Sequence, residues 1–166
     1  MSLKEKIKED LNIALKAKRL LETSTLRMVS AAIFNKEKEK RYKIAKEQPD
    51  LNEEELERES QLTDEELFEV LSSELKKRKE AILEFEKGGR VDLVKKEKKE
   101  TEILKKYLPQ QLSLEEIKKM AQETIKAVGA QDIKDMGKVM GQLVAKTKGK
   151  AEGGQVSKIV RELLEK

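Results

Sequence analysis

Apolar residues recur at spacings of three and four along almost all of this 166-residue chain, which is the signature of helices with one buried side. Leu3, Ile7, Leu11, Ala14 and Leu15 predict a first helix from residue 3 to about 20. Thr23, Ser24 and Thr25 then read as an interruption whose hydroxyls suit a helix cap. A second helix is predicted to start there, with Leu26, Val29, Ile33 and Phe34 inward. Beyond Asn35 the chain keeps strong helix formers but has almost no apolar row, so the helix is expected to run on past its core or to pack on one side only. Pro49 should stop it. Residues 48–62 are expected to be the mobile segment, holding a short helix from Asn52 to Glu59.

Thr63 followed by Glu66 has the form of a capping box. It opens a long helix with Leu67, Leu71, Leu75, Ile82 and Phe85 inward, which Gly88 and Gly89 should end. A further helix is predicted from about Val91 to Leu108, with Val94, Thr101, Leu104 and Leu108 facing in. Pro109 marks a boundary. Past it, Ser113 and Glu116 form a second capping box, Leu114, Ile117, Ala121, Ile125 and Val128 share a face, and Gly129 is a stop signal.

The stretch from Asp132 to Leu164 is the most distinctive. Asp132 is expected to cap a helix bearing Met136, Val139, Met140, Leu143 and Val144. A last helix bears Val156, Ile159, Val160, Leu163 and Leu164. Between them T-K-G-K-A-E-G-G has no apolar periodicity. The predicted architecture is all-α, about seven helices in two helical subdomains: residues 1–108, and a three-helix tail over residues 109–166. No strand-type alternation of useful length is found.

Composition narrows what such a chain can do. Charged residues make up 42% and aromatics 3%, with no cysteine and no histidine. Disulfides and thiolate zinc sites are thereby excluded, and the commonest general base and metal ligand are missing. No apolar run approaches the length of a membrane span, and the N-terminal ten residues lack an apolar signal region. A cytoplasmic protein with no membrane partner is expected.

The formal charge of +4 is too small to imply a nucleic-acid partner, but its distribution is uneven. Residues 1–46 carry 13 basic and 6 acidic side chains, whereas residues 47–69 carry 1 and 11. A basic molecule with one acidic insertion would steer a polyanion toward some faces and away from another. From residue 134 to 150 there are five lysines (134, 138, 146, 148 and 150) against one acid, Asp135.

Candidate chemistry is sparse. Ser72 and Ser73 lie mid-helix without the glycine-rich loop that an amidase-type serine would want. No phosphate-binding glycine motif is present, and the scattered glutamates lack the Asp-rich loop of a cation site. No catalytic residue, metal or cofactor is expected. A polyanion could instead be met by Lys146, Lys148 and Lys150, with backbone N–H groups at Gly149, Gly153 and Gly154. Lys138 and Lys158 flank them. The competing reading is an ordinary solvated turn. Gly137 and Gly141, four apart on one helix, suggest close helix–helix approach, or else close approach of an RNA backbone at Gly141. Arg27 is read as a structural ion-pair partner, with phosphate binding as the alternative, and Lys76–Lys79 as mostly a solvated helix face, with a second RNA contact as the alternative. Residues 109–166 contain no aromatic ring, so RNA bound there would be folded RNA read by backbone and shape, not single strands stacked on rings.

Four stretches carry a family resemblance: L-R-M at 26–28, E-L-K-K-R-K-E-A-I-L-E-F-E-K-G-G-R at 74–90, Y-L-P-Q-Q-L-S at 107–113, and the tail from Gly137. Together they resemble the YqeY proteins, and the tail is similar to that of the GatB subunit of tRNA-dependent amidotransferases. The resemblance implies a tail that contacts the outer corner of tRNA. It implies kinship with carbon–nitrogen ligases using glutamine as amido donor, while the ATP-using cradle of GatB has no counterpart here. The expectation is a non-catalytic adaptor for tRNA or other folded RNA, working alone or with a tRNA amidotransferase or synthetase. The alternative is a protein–protein interaction module without RNA.

Overall fold

In the computed structural model, which describes residues 1–165, the chain is all-α and has no strand among the described residues. It divides into two compact units, Met1–Tyr107 and the residues from Leu108 onward. Unit 1 contains α1 (Leu3–Lys16), α2 (Leu20–Glu47), α3 (Glu53–Ser60), α4 (Asp64–Lys87) and α5 (Val91–Lys105). Unit 2 contains α6 (Leu114–Val128), α7 (Met136–Thr147), preceded by a 3-10 turn at Ile133–Asp135, and α8 (Gly153–Leu164). No described helix is long and apolar enough to cross a membrane.

Local chemistry sets many of the helix ends. Ser2, Asn52, Thr63 and Ser113 each accept from the backbone N–H three residues on, and the glutamate there accepts from the cap's own N–H. At the far end of α6, Gly129 takes the left-handed conformation, φ 66°, that a side chain would resist. The first interruption falls elsewhere than predicted. It lies at 17–19, where Lys18 is left-handed at φ 54°. Thr23, Ser24 and Thr25 sit inside α2. The hydroxyls of Ser24 and Thr25 donate back to the Leu21 carbonyl at 2.9 and 2.8 Å, so they are satisfied within the helix and cap nothing.

Unit 1 closes around Ile7, Ala14, Leu26, Val29, Leu67, Leu71 and Leu104, all 1% exposed or less. Phe34, expected inward, is 60% exposed. Ile33 takes the core position, and the next residue lies about 100° round the helix. Leu15 is likewise outward, because Ala14 fills the inward place. Segment 48–62 is seated on α2: Lys40 donates to the Gln61 carbonyl at 3.0 Å, and the Leu62 N–H donates to Glu37 at 3.3 Å. α5 stops at Lys105, and Tyr107 beyond it is buried, donating its hydroxyl to Asp10 at 2.7 Å. Burial first, then that hydrogen bond, push the phenol well above its ordinary range.

Unit 1 also buries charge. Arg78, read from the sequence as one of a solvated run, is 3% exposed. Its guanidinium reaches Glu74 on its own helix at 3.0 Å and Glu100 on α5 at 3.1 Å. It also donates to the Glu74 carbonyl at 3.2 Å. The run Lys76–Lys79 is therefore split, with three ammonium groups outside and one guanidinium inside. Burial raises the Glu74 carboxyl, but the hydrogen bonds from Lys77 and Arg78 outweigh it, and the net shift is downward. Glu97 moves upward, through burial and then the neighbouring Glu100 charge.

Replacing Arg78 by methionine leaves two buried carboxylates facing a void of charge. It should cost unit 1 about 3–5 kcal/mol in urea denaturation, and Arg78→Met combined with Glu74→Gln and Glu100→Gln should recover much of it. Because the native Glu74 value is depressed, its contribution is present above its ordinary value of 4.5 and is lost as pH falls through the lowered native value. Glu74→Gln should flatten that acid limb of the stability curve.

Candidate nucleic-acid interface

Unit 2 is three helices around seven aliphatic side chains: Ile117 and Ala121 from α6, Val139 and Leu143 from α7, and Val156, Val160 and Leu164 from α8. Met136 and Met140 pack at its edge as core residues. Val144, expected inward, is 45% exposed. With these rows buried, the Lys-Gly turn between α7 and α8 is pinned at one end of the unit. Asp132 caps the 3-10 turn through the Lys134 N–H at 2.8 Å and does not cap α7 itself.

The turn holds itself by its carbonyls. Thr147 is buried, and its hydroxyl donates to the Leu143 carbonyl at 2.9 Å. The Thr147 carbonyl accepts from the N–H groups of Lys150 and Ala151 at 2.9 and 3.0 Å. The Gly149 carbonyl accepts from the Gln111 amide at 2.8 Å, and the Lys150 carbonyl accepts from the Leu112 N–H at 2.7 Å. Three electronegative groups are thus engaged by protein donors. Gly149 adopts φ 72°, the left-handed value the reversal requires. Gly149 is itself buried, so the sequence reading of it as an open backbone donor is corrected.

The donors that stay open belong to α8. Gly153 and Gly154 are exposed and lie in its first turn, where N–H groups have no partner within the helix. Glu152 stands at the cap position but makes no side-chain capping bond, in contrast to the boxes of α1, α3, α4 and α6. A helix N-terminus of this kind favours an anion through its N–H groups and its partial positive charge.

The cations differ among themselves. Lys146, Lys150 and Lys158 are exposed and enter no ion pair among the described residues. Lys138 is exposed but paired with Asp135 at 3.1 Å. That bond follows the Gln131 N–H in holding the Asp135 carboxyl below its ordinary range. Lys148 is half-buried and already has an interaction. Of the five lysines between 134 and 150, the turn therefore presents two unpaired ones at its centre, with Lys158 added from α8. Arg161 escaped the sequence reading. It follows Gly154 and Lys158 at spacings of four and three, the signal that would have placed it on the same face of α8.

The two glycines of α7 also change meaning. Gly137 and Gly141 are exposed, and a Cβ built at either would meet nothing within 4 Å. They permit no close helix–helix approach inside this unit, which corrects the structural reading of them. Each costs α7 about 1 kcal/mol relative to alanine. Gly141→Ala is expected to stabilise unit 2 by about that amount in thermal or urea unfolding, while weakening polyanion binding if the open face is used.

A protein-family model described as Yqey-like protein matches residues 4–164. The uncharacterized protein C22F3.15 of Schizosaccharomyces pombe is 41% identical over 51 residues, 31% of this chain. The match spans 42% of that protein's length.

Proposed function

The chain belongs to the YqeY-like family, and on that premise we propose that it is a non-catalytic RNA-binding module whose unit 2 reads folded RNA, with tRNA as the ligand. The observation that carries this reading is the turn between α7 and α8. Its Thr147, Gly149 and Lys150 carbonyls are tied to protein donors, while Lys146, Lys150 and the open N–H groups of Gly153 and Gly154 are exposed. That combination of donors suits a phosphate backbone. Lys158, Arg161 and the bare face at Gly141 extend the same surface. Lys138 and Lys148 serve it less directly, since each already has a protein contact.

The absence of rings from residues 109–166 favours recognition by shape. The resemblance read in the tail sequence to the GatB subunit favours the outer corner of tRNA as the ligand surface, and a tRNA amidotransferase or a synthetase as the protein partner. A carbon–nitrogen ligase relationship then describes ancestry.

Electrophoretic shift with total tRNA should show binding that weakens steeply as salt rises. Lys146→Glu with Lys150→Glu and Lys158→Glu should weaken it by about tenfold or more at ~0.1 M salt and lower the salt slope by roughly one per lost phosphate contact. Unchanged affinity in that variant would remove the turn from the interface. With ATP, glutamine and Glu-tRNA, the purified chain is expected to form no Gln-tRNA.

A further inference from the structure

Unit 1 carries a second cationic surface, and this one has rings. Along the outer side of α2, Arg27, Ala31, Phe34, Lys38 and Arg41 follow one another at spacings of four and three, a straight row on the helix. Tyr42 stands beside Arg41. Arg27 and Lys38 are exposed, Arg41 is half-buried, and Phe34 and Tyr42 are 60% and 73% exposed. From Arg27 to Tyr42 the row spans about 22 Å.

Its charge is one-sided. No acidic residue occupies the row, although the chain has 33 acids. Arg27, Lys38 and Arg41 enter no ion pair among the described residues, whereas Lys36 and Lys40 on the flanks of the same helix pair with Glu39 and Glu66. The sequence reading of Arg27 as a structural ion-pair partner is therefore corrected. Two acids share a hollow of about 200 Å³ with Phe34, Lys38 and Arg41. Glu37 is taken up by Lys4 and the Leu62 N–H. Glu57 of α3 is the other.

The order of residues along the row selects the occupant. A second copy packed row to row would oppose like charges. A membrane-surface helix keeps a continuous apolar face with its cations on the opposite, polar face, but here cations and rings alternate in the same row. A packed helix would likewise want an unbroken apolar stripe. A duplex hides the faces of its bases. An unpaired strand offers a phosphate and a ring face at every step, and Phe34 and Tyr42, about 12 Å apart along the helix, stand where bases about two steps apart in an extended strand can stack between cations. We propose that this face of α2 binds single-stranded nucleic acid, with bases stacked on Phe34 and Tyr42 and phosphates met by Arg27, Lys38 and Arg41. The inference is independent of the turn in unit 2, which has no rings and suits folded RNA.

The test uses the full chain and a fluorescent oligouridine of about twelve nucleotides, too short and too weakly pairing to fold. Binding is followed by anisotropy. It is also followed by the change in tyrosine emission, which reports on Tyr42 because the chain has no tryptophan and Tyr107, the other tyrosine, is buried away from a bound strand. The strand should quench that emission. Phe34→Leu, which keeps the apolar contact but removes the ring, should weaken binding about tenfold, as should Tyr42→Ala. Arg27→Glu with Lys38→Glu should abolish binding, and Glu57→Gln should tighten it. Lys146→Glu with Lys150→Glu should leave oligouridine binding unchanged, which separates this surface from the one in unit 2. All these positions are at least partly exposed, and circular dichroism verifies that the helices persist. The proposal is overturned by unquenched tyrosine emission or by a Phe34→Leu chain that binds as tightly as the parent. It is overturned equally if the row variants lose binding to phosphatidylserine vesicles or to polyglutamate while the strand fails to bind.

Discussion

A chain with 42% charged and 3% aromatic residues must build its cores from narrow rows of aliphatic side chains, and that shortage governs the rest of the structure. Unit 2 closes around seven residues, none larger than leucine. Unit 1 has more helices to join and places Arg78 between Glu74 and Glu100 as a link from α4 to α5. Such a triad gives little net stability over an apolar replacement of the same shape, but it tolerates no missing member.

Both candidate interfaces follow from the same economy. Narrow buried rows leave wide solvent faces, and parts of those faces carry mixed charge that pairs along the helix. Lys87–Glu84 and Lys105–Glu102, each at 2.7 Å, are typical. Two of the places without such pairs stand out. On the outer row of α2, cations that enter no ion pair stand beside exposed rings. At the turn before α8, three backbone carbonyls are occupied from within, the first-turn N–H groups are bare, and glycines remove the side chains that would shield them. Gly137 and Gly141 weaken the helix that leads there without easing any contact inside the unit. A sequence shaped by stability alone would carry alanine at both positions.

Helix type and most helix ends could be read directly from the residues. The capping boxes at Thr63 and Ser113, the αL stop at Gly129, and the inward rows of α6 and α8 depend on neighbours a few residues away, and local chemistry suffices to specify them. Leu114 of α6 is apart from these: it was expected inward and is exposed. Where two adjacent apolar residues competed for one inward place, as with Ile33 and Phe34 or Ala14 and Leu15, periodicity could not choose, because the choice depends on which partner helix lies opposite. The break at Lys18 was missed for a similar reason. Its residues are not turn formers, and the hydroxyls two turns away that looked like caps could be satisfied inside the helix instead.

What the sequence by itself determined is an all-helical chain with its lysines crowded around a glycine turn, since periodicity and local hydrogen-bonding capacity are properties of neighbours. Only the tertiary structure decided which cations are spent and which are open. Arg78 passed from surface to core, Lys138 to Asp135, and Arg27 from an expected ion pair to solvent. The physical reason is that a charge is neutralised by groups that approach it in space, and the partners of these residues are fixed by how the helices pack and where each turn closes.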